Sequence, residues 1–111
     1  MSEILNEMLL AELKDIMEDD FPSLLETFLV ESNRQYQEAA QAWDQQDMEV
    51  LRRAAHSLKG SSGNIGAELL QDTCEILEYS AKDGETADVP MLLAKAESQL
   101  RDVHSALAGL H

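Results

Sequence analysis

A histidine lies among basic residues in the longest stretch of the chain that contains no Asp or Glu. Residues 50–67 form this stretch, although the whole chain has a formal charge of −14. They include three of its eight basic residues, which are Arg52, Arg53 and Lys59. At about 100° per residue, His56 projects away from the apolar face of the segment, together with Lys59 and Gly60. An exposed neutral imidazole is a nucleophile near neutral pH. These residues therefore predict a place for a phosphoryl group.

Lys59 and Gly60 follow His56 by about one helical turn, and each has a functional interpretation. The Lys59 ammonium can contact phosphoryl oxygens as a point charge, whereas in isolation such a lysine is a solvated surface residue. A glycine inside a helix costs about 1 kcal/mol of stability relative to alanine. This cost at Gly60 is explained if a side chain there would obstruct a docking partner.

Arg52, Arg53 and Gly63 are further candidates for contact with that partner. The two arginines either attract an acidic surface or keep the helix surface soluble, and the sequence leaves both interpretations open. Gly63 lies in a run of small residues from Gly60 to Gly66, which is typical of a turn between two helices. Gly63 is therefore both a docking candidate and an ordinary turn residue.

The run from Ala55 to Ala67, AHSLKGSSGNIGA, resembles the signature of the histidine-containing phosphotransfer (HPt) domain of bacterial multistep two-component phosphorelays. The shared features are the histidine, the lysine three residues later, the glycine directly after it, and a small-residue segment that ends in an apolar residue and a glycine. The resemblance implies that His56 accepts a phosphoryl group from an aspartate of one receiver domain and passes it to an aspartate of another. Such receivers belong to hybrid sensor kinases and response regulators.

The resemblance also implies a residue that orients the imidazole. In HPt domains with the same turn length, a Gln or Glu twenty-two residues after the histidine bonds the ring nitrogen opposite to the reacting one, and Glu78 occupies that position. A carboxylate there would hold Nδ1–H and leave Nε2 for the reaction. Glu75, one turn earlier, is the competing candidate.

Helical periodicity runs through five segments, and strand alternation is almost absent. Capping and helix-breaking residues set the limits of these segments. The first helix begins at Ser2 and ends at the Glu18–Asp20 run, and the second begins with Asp20 as its cap and Pro22 in its first turn. The third begins at Asp47 and ends in the turn at 60–66, the fourth ends at Lys82–Gly84, and the fifth begins with Asp88 and Pro90. Short connections make consecutive helices antiparallel neighbours. The sequence therefore predicts an all-α, antiparallel up-and-down four-helix bundle with an additional N-terminal helix.

Apolar residues recur at helical spacing in each segment and predict the buried faces. For the second segment these are Leu24, Leu25, Phe28, Leu29, Tyr36, Ala39, Ala40 and Trp43. For the third they are Leu51, Ala54, Ala55, Leu58, Ser61, Ser62 and Ile65. For the fourth they are Leu69, Leu70, Thr73, Cys74, Ile76 and Leu77, and for the fifth Leu92, Leu93, Ala96, Leu100, Val103 and Leu107.

Length and composition predict a single domain over residues 1–111, and the resemblance implies that this domain is an HPt domain. The chain has 22 acidic and 8 basic residues, and this negative charge disfavours binding to nucleic acid or an anionic membrane, so the expected partners are proteins or small molecules. Cys74, the only cysteine, is predicted to be a buried small hydrophobe, and His104 and His111 are predicted to be surface and terminal residues. The sequence contains no apolar run of about 18–20 residues and no signal-peptide pattern, which predicts a cytoplasmic protein, and we expect a monomer.

Other classes of function find less support. A metal-dependent bundle enzyme would need Glu-x-x-His pairs or close His and Cys ligands, and the sequence has neither. The glycines follow Lys59 instead of preceding it, so no loop for nucleotide phosphates is present. We therefore expect a phosphotransfer protein that is not a self-sufficient kinase and has no cofactor of its own, with Mg²⁺ only in the receiver partner. A helical adaptor that binds a response regulator or sensor kinase without carrying phosphate stays open as the alternative.

Overall fold

Five α-helices account for most of residues 4–110, the part of the chain that the computed structural model describes. They are α1 (Glu7–Met17), α2 (Phe21–Asp44), α3 (Met48–Asn64), α4 (Glu68–Asp83) and α5 (Val89–Ala108), with a short 3-10 turn, Glu18–Asp20, before α2. Residues 4–110 contain no β-strand. The prediction of an all-α protein is confirmed.

The four longer helices form an antiparallel bundle in which each helix packs against two neighbours. α3 packs against α2 and α4, and α5 packs against the same two helices. α3 and α5 therefore occupy opposite corners of the bundle and do not contact each other. α1 lies beside the start of α2 as an additional element. This is the predicted up-and-down bundle with an extra N-terminal helix.

Asn6 begins α1 and joins it to the connection between α3 and α4. Its side-chain oxygen accepts a hydrogen bond from the backbone N–H of Leu9 at 3.0 Å. Its backbone N–H donates to the carbonyl of Gly66 at 2.8 Å, and its side-chain amide donates to the Glu68 carboxylate at 3.1 Å. The predicted cap, Ser2, lies outside the described residues, and Asn6 takes the capping position because both its backbone and its side chain are fixed there.

The start of α2 differs in one respect from the prediction. Asp20 occupies the N-cap position and Pro22 lies in the first turn, as predicted. The Asp20 side chain, however, accepts no capping hydrogen bond. The chain enters α2 directly from the 3-10 turn, so Asp20 has a helical backbone (φ −85°, ψ −9°) instead of the extended one that a capping side chain requires.

The buried face of α2 is rotated relative to the predicted one. Leu24, Leu29, Ala40 and Trp43 are only half-buried, at the edge of the core. The fully buried positions are Phe21, Leu25, Phe28, Ser32, Tyr36, Ala39 and Ala42. The centre of this face contains a serine, so hydrophobicity alone does not locate it. Contacts with both α3 and α5 decide which side of α2 is covered.

α3 continues to Asn64, so the prediction of a turn beginning at Gly60 was wrong. Only residues 65–67 connect α3 to α4, and Gly66 there has a left-handed backbone with φ of 79°. Ser62 and Ile65 are buried and hold the C-terminal turn of α3 against the core. Packing thus outweighs the low helix propensity of the glycines in this segment.

The other limits and faces of the bundle helices follow the sequence closely. Asp47 caps α3 by accepting from the backbone N–H of Val50 at 3.2 Å, and the predicted inner face of α3 is buried except for the half-buried Ser61. Gly84, with φ of 75°, ends α4 at the predicted stop. The predicted inner face of α5 is entirely buried.

One apolar position of α4 was assigned to the wrong side. Ile76 is 52% exposed, because α4 meets α3 and α5 through a face that excludes it. The buried residues of that face are Leu70, Thr73, Cys74, Leu77 and Ala81. Leu69, at the edge of this face, is half-buried.

Cys74 is shielded from solvent completely and His104 in part. Cys74 is fully buried, as predicted, and burial raises the pKa of its thiol to about 12. His104 is half-buried, not a surface residue, because α5 packs against α2 at this point. Its Nε2 lies 3.0 Å from Ser32 Oγ, and its ring meets Phe28 edge-on at 6.1 Å between centroids. Burial lowers the pKa of His104.

No helix within residues 4–110 combines the length and the apolar character that a membrane crossing requires.

Candidate functional site

The middle of α3 presents His56 to solvent. Leu51, Ala55 and Leu58 on the opposite side of the helix are buried and fix its rotation about its own axis. The His56 side chain is 63% exposed as a result. Because α3 is continuous on both sides of this residue, the imidazole stands on a rigid, hydrogen-bonded backbone.

Glu78 of α4 contacts both His56 and Lys59 of α3. Glu78 Oε2 lies 2.8 Å from His56 Nδ1, and Glu78 Oε1 lies 2.6 Å from Lys59 Nζ. The antiparallel packing of α3 on α4 brings the three side chains together from positions up to 22 residues apart. The sequence indicated the Glu78 position but not the ion pair between Glu78 and Lys59. Glu75, the competing candidate, is exposed and makes no hydrogen bond to the imidazole.

The charges of this cluster stabilise one another. Burial of Glu78 opposes its ionisation, but the hydrogen bonds from Lys59 and His56 outweigh burial and lower the pKa of the carboxyl. The hydrogen bond to Glu78 raises the pKa of Lys59, and the charge of Glu78 adds to the effect. Glu78 is therefore a carboxylate and Lys59 an ammonium at neutral pH.

The hydrogen bond to Glu78 also fixes the proton on the imidazole. An ionised carboxylate only accepts, so in the neutral ring Nδ1 carries the proton and donates it to Glu78. Nε2 then keeps its lone pair, on the exposed side of α3. The arrangement can therefore present a nucleophilic nitrogen at a set orientation to a reactant that arrives from solvent.

Arg52 and Arg53 are already paired with an acidic side chain. Arg52 contacts Glu49 at 2.6 Å, and Arg53 contacts the same carboxylate at 3.8 Å. Their spacing of three and four residues from Glu49 is the ordinary spacing of helical ion pairs, and it could have been read from the sequence. The segment without acids is thus flanked by an acid that offsets part of its positive charge.

The two helical glycines near His56 have different surroundings. A Cβ atom added to Gly60 would meet nothing within 4 Å. A Cβ atom added to Gly63 would lie 2.6 Å from Nε2 of Gln71 on α4. Gly60 therefore leaves an open surface one turn from His56, whereas Gly63 permits close packing of α3 on α4 and is not a turn residue.

The site lies on an open surface and not in an enclosed pocket. A cavity of about 600 Å³ lies away from His56, under α1, and is lined by residues of α1, α2, the N-terminal segment and the end of α5. No group of three His, Cys, Asp or Glu side chains within residues 4–110 is placed to hold a metal ion. The exposed imidazole of His56 is thus open to a reactant that approaches from solvent.

The family model for the Hpt domain matches residues 23–109, which span the four bundle helices and the cluster of His56, Lys59 and Glu78. The chain belongs to the Hpt domain family. It is also similar to the structure of histidine-containing phosphotransfer protein B (HptB) from Pseudomonas aeruginosa PAO1, with 36% sequence identity and a TM-score of 0.94. That similarity covers 98% of this chain and 95% of the other.

Two further proteins are similar to this chain. The phosphorelay protein LuxU of Vibrio cholerae serotype O1 is 27% identical over 97 residues, which cover 87% of this chain and 86% of LuxU. The histidine-containing phosphotransfer protein ZmHP2 from maize is 22% identical, with a TM-score of 0.84 over 96% of this chain and 88% of that one. At this identity the maize structure supports the fold alone.

Proposed function

We propose that this Hpt domain is a phosphotransfer intermediate of a two-component phosphorelay and carries the phosphoryl group on His56 Nε2. The observation that carries the proposal is the hydrogen bond of 2.8 Å between His56 Nδ1 and Glu78. It orients an exposed imidazole with its reactive nitrogen toward solvent, which a binding surface alone does not require. The family membership and the similarity to a phosphorelay protein support the same function.

The transfer step follows from this geometry. The lone pair of His56 Nε2 forms the P–N bond while the P–O bond to a receiver aspartate breaks, and the electrons of that bond leave with the aspartate carboxylate. Glu78 accepts the Nδ1–H bond throughout and keeps the ring in position. Lys59, one turn away, provides a cation for the phosphoryl oxygens. The reverse step delivers the group to a second receiver.

The proposed partners are receiver domains of hybrid sensor kinases and response regulators. The open surface at Gly60 leaves room for such a domain to approach His56, and Arg52 and Arg53 lie about one turn before His56 on the same helix. A receiver provides its own acidic pocket and the Mg²⁺ that the reaction needs. The cytoplasmic location, the monomeric state, the single-domain organisation and the absence of a resident cofactor stay predictions from the sequence.

Loss of the phosphorylation site tests the proposed function. His56→Gln is expected to fold normally, because an exposed polar side chain contributes little to the core, and to accept no phosphoryl group from a receiver domain charged with acetyl phosphate. His104→Gln is the matched control on α5, and it is expected to retain acid-labile label. Label on the His56→Gln protein would refute the assignment, and a wild-type protein that binds the receiver without taking label would favour the adaptor.

A further inference from the structure

Glu78 contacts two side chains, Lys59 and His56, and the charge of His56 changes when it is loaded. In the unphosphorylated protein, one carboxylate oxygen contacts the Lys59 ammonium at 2.6 Å, and the other lies 2.8 Å from Nδ1 of His56. In the reactive form of His56, Nε2 holds a lone pair, and the ring that donates from Nδ1 to Glu78 carries no net charge. The side chains of Lys59 and Glu78 are 28% and 19% exposed, so water screens their contact only in part. The full positive charge that balances Glu78 in this state is therefore that of Lys59.

Phosphorylation places new charges on both sides of this cluster. When Nε2 forms the P–N bond and Nδ1 keeps its proton, the ring gains one positive charge, and it lies against the carboxylate of Glu78. The phosphoryl group brings a charge of about −1.5 to −2 to the other side of the ring. Lys59 then has a more strongly charged anion within one helical turn, and Glu78 has a new cation at Nδ1.

We propose that Glu78 holds the Lys59 ammonium in the unphosphorylated protein and releases it to the phosphoryl group when His56 is loaded, an inference that rests on the proposed function of His56. Glu78 is thus a positioning residue for Lys59 as well as for the imidazole. The exchange keeps each cation next to an anion in both states. The Lys59–Glu78 contact then stabilises only the unphosphorylated state, and it therefore opposes the phosphorylation of His56.

This consequence is measurable as a coupling between two substitutions. In the wild type, Lys59→Ala removes the phosphoryl contact from the loaded state and the Glu78 contact from the unloaded state, and the two losses partly cancel. In a Glu78→Gln protein the amide oxygen still accepts from Nδ1, but Lys59 has no ion pair to lose. Lys59→Ala should therefore reduce the equilibrium loading of His56 more strongly in the Glu78→Gln protein than in the wild type.

The experiment is a double-mutant cycle on the phosphotransfer equilibrium. Wild type, Lys59→Ala, Glu78→Gln and the double variant are each equilibrated with a receiver domain charged with acetyl phosphate, and ³¹P NMR measures the ratio of histidyl to aspartyl phosphate. We expect the reduction caused by Lys59→Ala to be about two- to fivefold larger in the Glu78→Gln background, the range of a partly exposed ion pair. Equal reductions in the two backgrounds would overturn the inference.

A control pair and a direct measurement make the outcome specific. Arg101 and Glu97, which lie 3.0 Å apart on α5, form an ion pair on a helix that does not contact α3. The matched variants Arg101→Ala and Glu97→Gln should show no coupling in the same assay. The chain has only four lysines, so the ¹³Cε signal of Lys59 can be assigned by comparison with Lys59→Arg. In the wild type this signal should shift on loading, and an unchanged signal would also overturn the inference.

The inference and the proposed function fail in different ways. If the proposed function is wrong, either the wild type takes no label at all or His56→Gln still takes label. If only the inference is wrong, His56 is loaded normally and the cycle shows no coupling between Lys59 and Glu78.

Discussion

Replacement of Gly60 by alanine should stabilise the protein. Gly60 lies inside α3, four residues before its last residue, and a Cβ atom there would meet nothing within 4 Å. Alanine therefore removes the conformational freedom of glycine from the unfolded chain without a steric cost in the folded one. The expected gain is about 0.5–1 kcal/mol. For a domain of this size, a gain of 1 kcal/mol corresponds to a rise in Tm of about 4 °C.

Two other glycines of the same segment provide matched comparisons. Gly63→Ala should gain less than Gly60→Ala, because the Gln71 side chain, 2.6 Å from the new Cβ, must move away. Gly66→Ala should lose about 1–2 kcal/mol, because its φ of 79° is unfavourable for alanine and Asn6 Cβ would lie only 3.0 Å away. Thermal melts followed by circular dichroism, together with urea titrations, measure all three changes.

A long side chain at Gly60 should affect phosphotransfer. Gly60→Gln should retain most of the helix stability of the alanine variant, but its side chain projects from the surface that a receiver must cover, and phosphotransfer should slow. Rates and melting temperatures are measured on the same samples. A Gly60→Ala protein less stable than the wild type would refute the reasoning about open space, and an unchanged transfer rate for Gly60→Gln would show that this surface is not covered in the complex.

Three further predictions follow from contacts described above. Replacing Arg52 and Arg53 together by alanine should slow association with a receiver at low salt. The difference from wild type should vanish near 1 M salt, where the Debye length is about 3 Å. If stopped-flow transfer shows the same salt dependence for both proteins, these arginines do not steer association. Cys74 should resist alkylation at pH 8 in the folded protein and react at the rate of unfolding, and fast labelling under native conditions would contradict this. Because the pKa of the buried thiol is raised to about 12, the unfolded protein loses this proton at a lower pH than the folded one, and the free energy of unfolding should fall as the pH rises from about 9 toward 12. Tyr36→Phe should lower the free energy of unfolding by about 1 kcal/mol, because the buried hydroxyl donates to the carbonyl of Leu93 at 3.0 Å. An unchanged midpoint in urea titrations would show that this hydrogen bond makes no net contribution to stability.

The architecture could be predicted because local signals and global packing agree. The Asp47 cap and the Gly84 stop act within one turn of chain, and the inner faces of α3 and α5 repeat at helical spacing. The end of α3 could not be predicted in this way. Gly60 and Gly63 weaken the helix locally, and burial of Ser62 and Ile65 against other helices keeps the segment helical.

The position of the site was predictable from the sequence, but the ion pair between Lys59 and Glu78 was not. The spacing from His56 to Glu78 follows from antiparallel packing of two helices across a short connection, so it is readable from the sequence once the family resemblance is recognised. That Lys59 meets the same carboxylate depends on the rotation of α3 against α4, which no local pattern encodes. His104 was misplaced for the same reason, since its contact with Ser32 joins α5 to α2 across 72 residues of chain.

The hydrogen bonds of Asn6 attach α1 to the α3–α4 connection, and α1 lies outside the four-helix bundle as a layer of its own. The family match begins at residue 23, after α1, and the contact between His56 and Glu78 involves α3 and α4 only. The amides of α1 should therefore exchange with solvent through local opening, at a lower free energy than those of the bundle. Such an opening would expose the Gly66 carbonyl to water and leave the phosphorylation site intact. Changes in length, new attachments or new contacts at α1 can thus accumulate without altering the chemistry at His56.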